Sequence, residues 1–581
     1  MPKSLRRLTF AFLALALIGC RNYDVQYAPF NPRALQQEER ASAAGTPLRP
    51  QRPLPTTLQS EFPIGPNSSQ PATTQASKVP PATGPAIGVG EPVIRMPLRE
   101  LIQRAVANSL DVKVAGYQPA IDQTRVTEAE ARFDPTFFTN VQFSNSSILG
   151  PSANSPGQPP GSETLFRTYS AQVGVRQDLE SGGRIELRYE PARTHRYPEA
   201  SGFAGSEINP FWTSDLTLQI TQPLLRDFGA DVNRARIVIN RNNQRISLLD
   251  FRDALEKNIS DLERAYWQQV QAMRDVRISE ELLDRTLRTG QILYDRSRQD
   301  VGRQQMSQAN SSIETRRTLL IRARARVRDF SDQIKALMND PEFPVTGQTL
   351  LLPADQPLTE QVQFDVEDQI NTAMEARLEL GQQQLRVDNA GVAADVAKNN
   401  LLPQLNLIGS AGPKGIGGQY VDALNDQWGL DHFDYTVGLQ LEVPIGNRAA
   451  RAIWRRSQLQ RMQAIDQYRG IVDKVALDVR TASREVDTTW EEMVGSTRAR
   501  FAAADALAAI EERERGNEQL TPEFVNRKLD LQAQLAQTQS REAEASSNYM
   551  IAISRLEQAK GTLLRYNNIL MEESPIEQVS R

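Results

Sequence analysis

Apolar positions divide the chain into two kinds of segment. In the first kind they return every three or four residues. The longest series runs Leu459, Met462, Ile465, Tyr468, Val472, Val475, Val479, Ala482, Val486, Trp490 and Met493, a mean step of about 3.5, the spacing of a coiled-coil seam. An earlier series, Leu255, Ile259, Leu262, Tyr266, Val270 and Met273, behaves alike, and no proline falls within residues 231–300. About 70 unbroken residues at about 1.5 Å each predict a rod on the order of 105 Å. Shorter helices are expected over 98–132 and 304–339; two of them end to end would match one long helix.

In the second kind apolar and polar residues alternate, which predicts strands. Tyr169, Ala171, Val173 and Val175 alternate with Ser170, Gln172, Gly174 and Arg176. Ile185, Leu187 and Tyr189 alternate with Glu186, Arg188 and Glu190; Leu216, Leu218 and Ile220 with Thr217, Gln219 and Thr221; Tyr435, Val437, Leu439, Leu441 and Val443 with Thr436, Gly438, Gln440 and Glu442. TFFTNVQF and LPQLNLIG are weaker cases. A soluble sandwich also alternates. Polar partner positions that carry charge, and aromatic residues toward the segment ends (Phe137, Tyr189, Phe211, Trp212, Trp428, Phe433, Tyr435), favour a transmembrane β-barrel.

The two kinds of segment recur in one order. Residues 98–112 and 366–380 align at a fixed offset that also brings Pro135 onto Pro403. Further along, Pro223 corresponds to Pro444, Trp267 to Trp490 and Gly302 to Gly516. An internal repeat follows, each copy reading helix, strands, very long helix, break, helix. The first repeat is placed at 93–350, with strands about 136–221 and the long helix about 229–300. A linker covers 351–365. The second repeat covers 366–566, with strands about 404–443 and the long helix about 447–515, and 567–581 is a tail. Four strands in the first repeat and two in the second cannot close a usable barrel. An open edge in hydrocarbon leaves unpaired backbone groups, each costing several kcal/mol. If the strands lie in a membrane, other copies of the chain must complete the wall.

Composition adds limits. The chain has 581 residues, 67 Lys+Arg against 71 Asp+Glu, and a net charge of −4. This gives no basic face of the kind nucleic acid requires. The lone cysteine, Cys20, cannot form an intrachain disulfide and makes a poor metal site. It ends an apolar run behind Lys3, Arg6 and Arg7, the layout of a secretory signal peptide over 1–19. Leu17-Ile18-Gly19-Cys20 resembles the bacterial lipobox, which implies lipid attachment at Cys20 and, with Arg21 next, sorting to the outer membrane. An ordinary signal peptide or an uncleaved anchor is the alternative. Residues 20–92, rich in Pro, Gln, Ser and Thr, read as a flexible tether, or as an extended arm along the body.

Phe133-Asp134-Pro135, Gln222-Pro223-Leu224-Leu225, Leu402-Pro403 and Val443-Pro444-Ile445-Gly446-Asn447-Arg448 stand at the junctions of this plan. Their order resembles the TolC-like outer-membrane efflux proteins, over residues 97–566. The resemblance implies a mostly α fold with a transmembrane β-barrel portion, assembled as a homotrimer whose helices form a hollow duct. It implies partners as well: a periplasmic adaptor protein, an inner-membrane transporter and the outer-membrane bilayer. Family members give two strands per repeat, so residues 167–212 are expected as an external or plugging excursion, with 150–162 as a surface loop. A barrel wider than the family's twelve strands is the alternative.

By the same resemblance Gly302 and Gly516 mark the periplasmic turn, or are plain helix-ending glycines. The gate would follow that turn; Gln308, Glu523 and Asn526 are the candidates, with Glu523 otherwise a helix-start carboxylate facing the dipole. Thr521 and Pro522 suit a capped first turn. The run 511–516, EERERG, reads as a solvated face or as a latch between subunits. Catalysis has little to work with. His195 and His432 fall in loop-like stretches, and no phosphate loop or nucleophile motif is present. The expectation is a non-enzymatic export duct without a cofactor, the alternative a coiled-coil periplasmic spacer.

Overall fold

A computed structural model describes residues 50–53, 92–149, 163–197, 208–296, 301–516 and 521–569. Cys20 and the loop 150–162 lie outside the described residues. In chain order the elements are β1 (Pro50–Pro53), β2 (Val93–Met96), α1 (Leu98–Asn108), α2 (Leu110–Glu130), β3 (Thr136–Leu149), β4 (Glu163–Asp178), β5 (Arg184–Tyr197) and β6 (Phe211–Pro223). Then come α3 (Ala230–Asn233), α4 (Ala235–Asp295), α5 (Arg303–Met338), β7 (Leu350–Pro353), β8 (Glu360–Val362), α6 (Val366–Ala376) and α7 (Leu378–Asn399). The chain continues with β9 (Gln404–Gly417), α8 (Tyr420–Gly429), β10 (Phe433–Glu442), α9 (Arg448–Arg515), α10 (Pro522–Lys560) and α11 (Leu563–Tyr566).

The fold is mostly helical, with one open six-stranded antiparallel sheet in the order β10-β9-β6-β5-β4-β3. The α4 and α9 helices, 61 and 68 residues long, reach on the order of 90 and 100 Å. On the sheet side of the body the packed order is α2-α4-α7-α9, and on the far side α5-α4-α10-α9. Two shorter helices thus lie along each long one, α2 and α5 on α4, α7 and α10 on α9. The helix break between α1 and α2 falls at Ser109.

The main core lies midway along the rods. Leu255, Ile259, Leu262 and Trp267 of α4 meet Val479, Val486 and Trp490 of α9 and Ile553 and Leu556 of α10. Two buried tyrosines fasten the short strands to this core. The Tyr266 hydroxyl donates to Asp355 Oδ2 at 2.7 Å and accepts from the backbone N–H of Asp355 at 3.0 Å. The Tyr549 hydroxyl donates to Glu360 O at 3.1 Å and accepts from Val362 N at 2.9 Å. Within the stretch expected as a tether, β1 runs antiparallel against β8, so here the chain lies along the body. A second apolar cluster joins the far ends of both helix pairs through Leu293, Ala309, Leu507, Phe524, Val525 and Leu529.

The expected excursion at 167–212 is corrected. β4 and β5 are inner strands of the sheet, paired with β3 and β6 in continuous register. Their turn, 179–183, is bound to the strand-to-helix joint: Gly229 N donates to Ser181 O at 3.1 Å, and Gln222 Nε2 to Ser181 O at 3.2 Å. Alternation along 169–176 and 185–190 has its physical reason in this placement, since both strands share the two faces of the sheet.

Candidate channel wall and helix tips

The sheet has one apolar and one polar face. Register puts Phe137, Val141, Val175, Leu187, Leu218 and Leu439 on the same side. Among the described residues no helix covers most of that side. Tyr435, Val437, Leu439 and Leu441 of β10 are 79%, 75%, 69% and 63% exposed, and Val141 of β3 is 79% exposed. So large an uncovered apolar patch marks an interaction surface.

The opposite face carries charge. Lys414 of β9 bridges Asp434 of β10 at 2.5 Å and Asp215 of β6 at 3.8 Å. Arg188 lies 3.6 Å from Glu186 and 3.7 Å from Glu190. Gln172, Gln219, Ser410 and Thr436 fall on this face by the same register. Both faces follow from period-two alternation.

One helix interrupts the apolar face, and sequence reasoning missed it. α8 lies across the loop end of β9 and β6, directly over glycine backbone. A Cβ at Gly415 would stand 2.0 Å from Ala423 O, and one at Gly417 2.6 Å from Ala423 N. Beneath the helix Ser214 donates to Gln427 Oε1 at 2.5 Å, and the Tyr189 hydroxyl lies 2.8 Å from Ser214 and 2.9 Å from the Tyr420 hydroxyl. Leu424 is half-buried, while Val421 and Trp428 point outward. The readable signals were the spacing of Val421, Leu424 and Trp428 and the capping pair Gln419 and Asp422.

The helical layer also ends in apolar edges. On α2, Val114, Tyr117 and Ile121 are exposed at helical spacing, and on α9 Ile453, Leu459 and Met462 are exposed. These two helices bound the sheet-side layer, as β3 and β10 bound the sheet. The seam predicted along α9 is therefore buried within the chain only from Val475 onward.

At the far tip Gly302 is the residue before α5, with φ −87°, and Gly516 ends α9, with φ −72°. The two are not structural equivalents: Gly302 starts a return helix, while α4 ends at Arg296. Neither adopts the left-handed conformation that would demand glycine. Gln308 stands half-buried in the second turn of α5. Glu523 is exposed in the first turn of α10, where Thr521 Oγ1 accepts from Phe524 N at 3.2 Å and Pro522 opens the helix. Asn526 is half-buried, and its Oδ1 is buried without a partner. The three gate candidates thus lie on two return helices, Gln308 on α5 and Glu523 and Asn526 on α10.

The run 511–516 latches within the chain. Glu514 receives Lys528 Nζ at 2.6 Å and Glu511 lies 3.8 Å from Arg285. Nearby, buried Arg316 of α5 donates to Leu529 O at 2.8 Å and Gln532 Oε1 at 3.1 Å, and it also reaches Thr286. Burial pulls its pKa down from the usual arginine range.

A cavity of about 260 Å³ at mid-body is lined by Asp253, Glu256, Arg377, Glu379, Asp478 and Arg555, among others. Arg377 lies 2.8 Å from Glu379 and 3.4 Å from Asp478. Burial, and then the nearby Asp253, push Glu256 up to about 7. Among the described residues no cluster of metal-ligating side chains occurs, and no helix is long and apolar enough to cross a membrane.

This combination, an open two-faced sheet at one end of long paired rods, is the fold of the TolC-like outer-membrane channels. Solved structures of similar fold include the outer-membrane channel OprN, with a TM-score of 0.58 and 14% identity over 80% of this chain and 90% of that one. The outer membrane protein VceC from Vibrio cholerae has a TM-score of 0.56 and 14% identity over 80% of this chain and 96% of that one. The open state of the MtrE outer-membrane channel from Neisseria gonorrhoeae has a TM-score of 0.55 and 15% identity over 80% and 89%. No sequence-family model and no curated protein sequence matches the chain.

Proposed function

We propose that this protein is the outer-membrane channel component of a tripartite efflux or type I secretion system. It would work as a lipid-anchored homotrimer and conduct cargo passively from the periplasm to the exterior. The observation that carries this reading is the sheet: an uncovered apolar face for lipid, backed by a charged face for a water-filled lumen. The likeness to outer-membrane channels supports it. In this reading Cys20 carries the lipid, the sheet crosses the outer membrane and the rods extend into the periplasm. The tips near Gly302 and Gly516 would meet a periplasmic adaptor and an inner-membrane transporter. Gln308, Glu523 and Asn526 are the proposed gate, closing by electrostatics and helix repacking. No reacting group is required, because the work is done by the pump.

The apolar edges of α2 and α9 support assembly with further copies, since each would otherwise face water. A coiled-coil spacer with a soluble head would leave the sheet face without a role. The test is extraction of outer membranes with detergent, followed by electrophoresis with and without boiling. A heat-modifiable species of trimer size is expected. A rod released into water once the lipid is removed would overturn the channel reading.

A further inference from the structure

The sequence left open whether the membrane wall would hold twelve strands or more. We infer that it is a single barrel of eighteen strands, six from each of three copies of this chain. The inference rests on the trimeric channel proposed above and extends it to the width of the pore.

Three observations carry it. First, β4 and β5 have neighbours on both sides along nearly their full length, and removing them from the wall would break the ladders to β3 and β6. Second, the hairpin is two-faced like the rest of the sheet. Val173, Val175, Ile185 and Leu187 share the apolar side, and Arg176 and Arg188 the polar one. A hairpin standing in water would expose those four apolar side chains for nothing. Third, its turn is hydrogen-bonded to the joint where β6 enters the helices, through Ser181, Gln222 and Gly229. The hairpin is anchored at the membrane-proximal end, in line with the other strands.

The sheet's two edges complete the argument. β3 and β10 each pair on one side only. In hydrocarbon those open ladders must be filled, and the partner present in equal number is the opposite edge of another copy. Strands about 4.8 Å apart and tilted about 40° each take about 6 Å of circumference, so eighteen give a Cα radius of about 18 Å and twelve only about 12 Å. Four helices per chain bound the sheet-side layer, α2, α4, α7 and α9. Twelve such helices spaced about 9–10 Å apart make a ring of about 18 Å radius. Eighteen strands therefore continue the helical ring without a taper. The pore would not narrow at the membrane, and size selection would fall to the helix tips.

The test images the full-length, detergent-extracted protein by single-particle microscopy. A three-fold ring of eighteen strands with a Cα radius of about 18 Å is expected. A trimer with a twelve-strand wall and the β4–β5 hairpin outside it would overturn this inference and leave the channel reading standing. A particle without three-fold symmetry would overturn the channel reading as well. Labelling in intact membranes gives an independent check. Val173→Cys and Leu187→Cys are expected to react with a bilayer-confined reagent and to lose reaction with a water-soluble maleimide, whereas Arg188→Cys shows the reverse. Water-phase labelling of all three would overturn the placement of the hairpin in the wall.

Discussion

Tyr266 and Tyr549 show how single side chains hold the mid-body together. Each is fully buried and uses its hydroxyl both as donor and as acceptor on a connecting segment. Tyr266→Phe leaves Asp355 N short of a partner and is expected to cost about 1–3 kcal/mol, read as a lowered thermal midpoint. Glu256 sets a pH dependence. Its carboxyl holds a proton in the folded chain up to about 7, but titrates near its ordinary value when unfolded. The folded state therefore binds more protons between roughly pH 4.5 and 7, and stability falls as pH rises through that window. Glu256→Gln is expected to flatten the decline and to raise the midpoint at pH 8 with little change at pH 4, measured by thermal scans across that range. At the tip, Arg316→Ala strands Gln532 Oε1 in a buried site and should lower stability by about 1–3 kcal/mol. None of these roles was readable beforehand. Tyr266 stood in the predicted helical series only as an apolar step, Tyr549 stood in none, and which hydroxyl finds a partner depends on segments about ninety or more residues away.

At the scale of elements, α8 depends on two missing side chains. Gly415→Val places atoms into the Ala423 carbonyl and is expected to lift the helix from β9 while the sheet stays paired. Loss of the Trp212–Tyr420 ring contact, read as a change in near-UV circular dichroism with unchanged β content in the far-UV, would report it. Periodicity made most elements legible. The two rods, their return helices and all six long strands stand where the three-to-four and two-residue spacings placed them. Cap chemistry worked where it was local: Thr521 and Pro522 open α10 as expected. It failed where two positions looked alike. Gly302 and Gly516 follow similar helices, yet one begins a helix and the other ends one. α8 escaped notice because ten residues between strands resemble any polar loop until the glycines beneath them are seen.

For the whole molecule, the decisive fact is the uncovered apolar side of the sheet. Val437→Arg places a charge on that side, midway along the edge strand β10. If the side meets hydrocarbon, the change should cost about 2–4 kcal/mol and deplete the heat-modifiable species. A soluble sheet would tolerate it, with unchanged yield. The reading of charge was sound but incomplete. The run 511–516 reads as a solvated face or as a latch between subunits; within one chain Glu511 pairs with Arg285 and Glu514 with Lys528, because α10 folds back beside α9 and brings Lys528 next to Glu514.

Sequence alone determined the long elements and their order, since the repeat distance of apolar residues is a property of the local backbone geometry. It also separated the apolar from the polar face of the alternating strands, because alternation needs no knowledge of neighbours. Only the tertiary structure decided that β4 and β5 belong to the same sheet as β3 and β6. Strand partnership is a contact between distant segments, and a hairpin beside the sheet and a hairpin within it have the same local pattern.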